Sequence, residues 1–218
     1  MKAVEFSRWY LAVFFLLVAG FYTTTILVKK RRAGRSPVIR GEPGSLHRRV
    51  HDTFSIFRAL ILIVCVARVP WPGLDAALLP ITPLWTPLVI LAGNGLMAIS
   101  FALIVTIHSS MGPDWQSGIG PGGPQRLITD RWFGFSRNPT FLFIQAAQLG
   151  LFLSLPSAFT LICLVVGVAA IQIQVRLEER HLLERWGNAY REYQRRAPRW
   201  VRLPSYGGRC AGDCTRGD

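Results

Sequence analysis

Charged side chains are missing from long stretches of this chain: from 11–28, from 140–175 and, apart from Asp114, from 76–124. A further apolar stretch over 53–69 ends near Arg68. A helix of about 20 apolar residues spans the roughly 30 Å hydrocarbon core of a bilayer. In lipid, only helices and closed barrels satisfy their own backbone, and these runs lack the strict alternation of barrel strands. The pattern predicts an all-α integral membrane protein with about five transmembrane helices, over 8–28, 53–69, 84–107, 139–155 and 157–175. The last two are parted only by Ser154-Leu155-Pro156-Ser157 and form a tight C-terminal helical hairpin with short arms, from which an amphipathic helix runs on into the cytoplasm. The first run is longer than the apolar part of a signal peptide and is followed by KKRR, so it is expected to be retained as a span.

Charge changes the picture by giving it an orientation. Half of the residues are hydrophobic, yet the net charge is +13. The connection after the first span carries Lys29, Lys30, Arg31, Arg32, Arg35, Arg40, Arg48 and Arg49, whereas 70–83 carries no Lys or Arg. Arg126, Arg131 and Arg137 lie in 108–138, and ten arginines follow from Arg176 onward. By the positive-inside rule the 29–52 loop, the 108–138 loop and the C-terminus are cytoplasmic and the N-terminus is outside, with a bacterial inner membrane as the expected location. Arg68 is the exception and is expected to snorkel to the outer interface. The basic residues flank spans instead of forming one folded face, so they fit topology and anionic lipid headgroups and argue against a nucleic-acid partner.

Little else is diagnostic. Cys65 and Cys163 lie in apolar spans as small hydrophobes. Cys210 and Cys214 sit in a Gly-rich tail at a spacing too weak for a metal site. P-loop and HExxH motifs are absent, and the GxGxxG spacing of Gly118, Gly120 and Gly123 has no preceding strand or following helix start, which excludes a dinucleotide fold. The glycine cluster at 118–123 reads as a flexible loop or as a mobile cover. The expected organisation is a pair of N-terminal spans plus a third over 1–107, a cofactor-binding core over 108–204 and a flexible tail over 205–218.

Two polar segments stand where polar groups are costly. In LITDRWFGFSRNPTFL (127–142), Pro139 suits the first turn of a helix and Asn138 its N-cap. Free N–H groups would then face the membrane boundary, suited to a carboxylate. The bland reading is a capped helix start and nothing more. In EERHLLERWGNAYREY (178–193), Glu178 shares a face with Gln174, His181, Leu182 and Arg185, and Glu179 shares the next with Leu183, Trp186 and Tyr190. Here the bland reading is a solvated pair matched by Arg176, Arg180 and Arg185, with Trp186, Tyr190, Tyr193 and Trp200 as an interfacial belt. His108 reads as an interfacial histidine.

Taken in this order, the two segments resemble the isoprenylcysteine carboxyl methyltransferase and phospholipid methyltransferase superfamily. The first resembles its LVT-x-G-x-Y/F-x-x-x-R-H/N-P-x-Y/F motif. The second, continued to Trp200, resembles its ending EE-x-x-L-x-x-x-F/H-G-x-x-Y-x-x-Y-x-x-x-V-x-R. The resemblance covers about 111–204 and implies a membrane enzyme that moves a methyl group from S-adenosyl-L-methionine to a lipophilic or small acceptor. By position it implies cofactor contacts from Gln125, Arg126, Leu127, Ile128, Phe133, Asn138, Pro139, Thr140, Phe141 and Glu178. Glu179 or Tyr190 is the candidate base for an amine or thiol acceptor. A substrate-side Arg of the prenylcysteine enzymes falls at Gln174, so Arg176 or Arg137 would have to substitute for it. Arg131-Trp132 stands where Gly-x is usual, and Phe143 replaces a frequent Gly. A membrane NADPH reductase and a non-enzymatic scaffold are the alternatives.

Overall fold

A computed structural model describes residues 2–33, 38–39, 41–112 and 126–201. They form helices α1 (Lys2–Ala33), α2 (Leu46–Ala67), a single turn α3 (Leu74–Ala77), α4 (Pro87–Met111), a single turn α5 (Trp132–Phe135), α6 (Pro139–Ser154) and α7 (Ala158–Arg196). The helix starts are set locally. Ser45 and Thr86 cap α2 and α4 by accepting from Arg48 N and Val89 N. Ser157 and Thr160 form a reciprocal capping box at α7.

Among the described residues four helices are long and apolar enough to cross a membrane, within Lys2–Arg31, Leu46–Ala67, Pro87–Met111 and Ala158–Trp186. The predicted span 139–155 is the exception. At 16 residues, α6 is about 24 Å long, short of the ~30 Å core. It is held against α4 by small residues. A Cβ on Gly93 would come within 2.5 Å of Ser154 N, and one on Gly150 within 2.7 Å of Met97 Cγ. Two glycines thus let the backbones meet, as small residues do between helices in lipid.

Contacts sort the helix ends into two groups. At the N-terminal end, Ser7 Oγ donates to Ser154 O at 3.0 Å and to Asn94 Oδ1 at 3.2 Å, and Tyr10 donates to Asn94 O. The α6–α7 turn is pinned there, because Pro156 O accepts from both Ile81 N and Trp85 Nε1. Beneath it lies a core of Leu11, Cys65, Met97, Leu151 and Leu155. At the opposite end Lys29 Nζ donates to Gly112 O at 2.8 Å, and the start of α2 meets the middle of α7. This is the grouping that five helices running in alternate directions produce.

Arg68 does not snorkel. It is 1% exposed and its Nε donates to Asp75, which Arg8 also engages at 2.7 Å. The reason is physical: a guanidinium at this depth is stabilised better by a nearby buried carboxylate than by stretching toward water. Asp75, from the connection that lacks Lys and Arg, supplies that carboxylate.

Candidate functional site

The Arg137 end of the bundle is built from the turn before α6, the second half of α7 and the segment after it. Pro139 occupies the first turn of α6, as expected. Asn138 stands at the N-cap position, but its side chain makes no capping bond. Its Nδ2 donates instead to Glu179 Oε1 at 3.0 Å and to Arg199 O at 3.3 Å. The backbone N–H groups of the first turn are therefore not capped by Asn138.

Glu179 is the hub. It is 5% exposed and accepts five hydrogen bonds: two from Arg137, two from Arg199 and one from Asn138. The bonds from Arg137 are 3.1 and 3.3 Å long and those from Arg199 are 3.0 and 2.7 Å. Such charge-assisted pairs are the strong kind. Arg137 also donates to Ala197 O at 2.7 Å and to Gln194 O at 3.3 Å, and its backbone N–H donates to Pro198 O. Ser136 Oγ accepts from Asn138 N and donates to Arg199 O. The turn, α7 and the 197–199 segment are thus one hydrogen-bonded body.

Tyr190 is 1% exposed and packs with Tyr193 and Ala197 against Leu127, Phe133, Leu182, Leu183 and Trp186. Burial raises the phenol pKa of both Tyr190 and Tyr193 well above the ordinary value near 10, so both keep their protons. Tyr193 donates to Phe133 O at 2.7 Å. For Arg199, the bond to Glu179 raises an already high pKa.

Glu178 faces elsewhere, one helical step round α7. Gln174 Nε2 donates to its Oε1 at 2.8 Å, and Gln174 Oε1 meets His47 Nδ1 from α2 at 3.2 Å. Asn138 and Glu178 therefore belong to two neighbouring networks, each made by one carboxylate of the pair. Two further polar atoms of α7, His181 Nε2 and Trp186 Nε1, are buried without a hydrogen-bond partner among the described residues. Arg176 is exposed, and Arg180 pairs with Glu184, not with Glu178 or Glu179. Arg126 is exposed and Leu127, Ile128, Thr140 and Phe141 are half-buried. Gln125, Cys210, Cys214 and the glycine cluster lie outside the described residues.

Arg131 has φ +52°, a backbone conformation that glycine adopts readily and other residues resist. Replacing the exposed Arg131 with glycine is expected to raise stability by about 1 kcal/mol by relieving that strain, read as a higher unfolding temperature in detergent. An unchanged or lower temperature would mean that the turn carries no such strain.

Deeper between α2, α6 and α7 lies a cavity of about 50 Å³, lined by Phe54, Phe57, Arg58, Gln148, Cys163 and Gly167 among others. A side chain at Gly167 would strike Gln148, whose Oε1 is buried without a partner among the described residues. The cavity reaches Ala170 on α7, one turn before Gln174. Sequence reasoning missed Arg199, Ser136 and His47. Arg199 had a signal, because the family ending quoted above closes on an Arg that falls there. Ser136 and His47 had none.

Residues 88–189 match the family model of the phospholipid methyltransferases. No curated protein and no solved structure matches the chain. The matched segment runs from the start of α4 through the 137–139 turn and Glu178-Glu179 to Tyr190's neighbour Ala189. Over these residues, a little under half of the chain, the protein is similar to the phospholipid methyltransferase family, which belongs to the isoprenylcysteine carboxyl methyltransferase-like superfamily.

Proposed function

We propose that the chain uses S-adenosyl-L-methionine to methylate a lipophilic or small acceptor at a carboxylate, amine or thiol. In this reading the protein lies in a bacterial inner membrane with its N-terminus outside and its Arg137 end in the cytoplasm, because the arginine-rich flanks lie at that end. One observation carries the proposal: inside the family-matched segment, the start of α6 and the Glu178-Glu179 pair meet at one end of the bundle.

The residues fit the donor. Glu178 uses only Oε1, on Gln174, among the described residues, so its other oxygen suits an ammonium or ribose hydroxyls through charge-assisted bonds. Thr140 and Phe141 N–H, uncapped at the positive end of α6, suit a carboxylate. The orphaned His181 Nε2 and Trp186 Nε1 are polar contacts for the same molecule, and Leu127, Phe133 and Trp186 offer an apolar wall for a flat ring.

When bound, S-adenosylmethionine supplies an electrophilic methyl group on a positively charged sulfur. The chain contributes positioning and exclusion of water. Arg137 and Glu179 act by holding the turn in place, since the oxygens of Glu179 are already occupied and Tyr190 keeps its proton. Gln174 and Arg176 border the acceptor side, and the cavity between α2, α6 and α7 favours an acceptor with an apolar portion that arrives from the bilayer.

Incubating membranes that carry the chain with methyl-labelled S-adenosylmethionine is the direct test. Label is expected in the lipid extract or a small thiol, and only when the chain is present. NADPH-dependent turnover without transfer of label would favour a reductase and overturn the reading. No turnover and no ligand-induced thermal shift would favour a scaffold.

A further inference from the structure

Helix α2, which precedes the family-matched segment, brings a residue against it. His47, in the first turn of α2, puts Nδ1 3.2 Å from Gln174 Oε1 and Nε2 3.3 Å from Ile39 O. Gln174 is 6% exposed, and its Nε2 donates to Glu178 at 2.8 Å. The orientation of this amide follows from chemistry. A carboxylate accepts hydrogen bonds and does not donate them when ionised, so the amide nitrogen faces Glu178 and the oxygen faces His47. Nδ1 is then the donor toward α7, and because Ile39 O is also an acceptor, both ring contacts are hydrogen bonds only with an N–H on each nitrogen.

The loop before α2 is shaped around this ring. Gly41 has φ +75°, and a Cβ there would come within 2.6 Å of His47 Cδ2. Only a residue without a side chain lets the backbone pass so close to the imidazole. Ile39 O meets the far nitrogen, and Ser45 caps the helix that carries the ring. Loop, helix start and Gln174 together fix one orientation of His47.

We propose that His47 is a positioning residue that acts through Gln174 on Glu178. By donating to Gln174 Oε1 it holds the amide so that Nε2 points at the carboxylate, which in turn is held in the orientation that meets the methyl donor. A side chain unable to donate frees the amide to turn over, which would set its oxygen against the carboxylate. The inference rests on the reading of Glu178 as a donor contact, and its test separates the two.

The full chain is purified in detergent, and S-adenosylmethionine affinity is measured by titration calorimetry for wild type, His47→Phe, His47→Gln, Glu178→Gln and the double variant His47→Phe/Glu178→Gln. His47→Phe fills the same space without a donor and is expected to weaken binding about tenfold, as for one buried hydrogen bond. His47→Gln, whose amide can donate to Gln174, is expected to restore most of the affinity. In the Glu178→Gln background His47→Phe is expected to have no further effect, because residues acting through one group are not additive. Unfolding temperatures measured alongside separate this from a general loss of fold. Unchanged affinity in His47→Phe, or an additive loss in the double variant, would overturn the proposal while leaving Glu178's role intact. A wild-type chain that binds no S-adenosylmethionine would overturn both.

Discussion

Replacing Glu179 with alanine is expected to cost about 3 kcal/mol of stability, the usual order for removing one partner of a buried ion pair. The loss comes from what is left behind. Arg137, with a side chain only 10% exposed, keeps its charge but loses its carboxylate, and Asn138 loses an acceptor. The Arg199 side chain is 41% exposed, so water replaces much of what it loses, and Arg199→Ala should cost no more than about 1 kcal/mol. Thermal unfolding in detergent checks both. A shift for Glu179→Ala no larger than that of the exposed Glu184→Ala would show that the hub does not hold the turn to α7.

Replacing the neighbouring carboxylate has a different expected result. Glu178→Ala should weaken S-adenosylmethionine binding by about ten- to a hundredfold, the equivalent of one charge-assisted contact, with little change in unfolding temperature. Among the described residues its one hydrogen bond comes from Gln174, so few structural contacts are lost. Calorimetric titration beside the thermal measurement separates the two glutamates. Equal affinity in wild type and Glu178→Ala would place the donor elsewhere.

The membrane fold was legible because its signals are local. Apolar runs, the Ser157 cap and Pro139 at a helix start all act within a few residues. The shortness of α6 was legible too, since 139–155 leaves few residues for a full crossing, but hydropathy does not register that α4 meets it through Gly93 and Gly150. Arg68 was misjudged for a similar reason. Its partner Asp75 is seven residues away in sequence, beyond a helix end, and no periodicity links them. In the candidate site, the paired glutamates and the Arg-Asn-Pro turn stood out as polar groups in an apolar setting. The sequence could not say which glutamate faces which neighbour. On a helix, adjacent residues point about 100° apart, and only the packing of α6 and the 197–199 segment on one side, and of α2 on the other, assigns Asn138 to Glu179 and His47 to the network of Glu178.

The carbonyl oxygens of Ala197 and Arg199 accept from Arg137, Ser136 and Asn138, and that has a practical consequence for anyone who edits the gene. A purification tag or fluorescent fusion joined after Val201 leaves these acceptors in place. One joined at Arg196, the last residue of the long helix, replaces the 197–199 segment with foreign sequence and removes the Arg199 side chain with its two bonds to Glu179. By helix boundaries alone the two junctions look equivalent, yet the shorter product would retain every membrane-crossing helix and lose the clasp on the Arg137 turn.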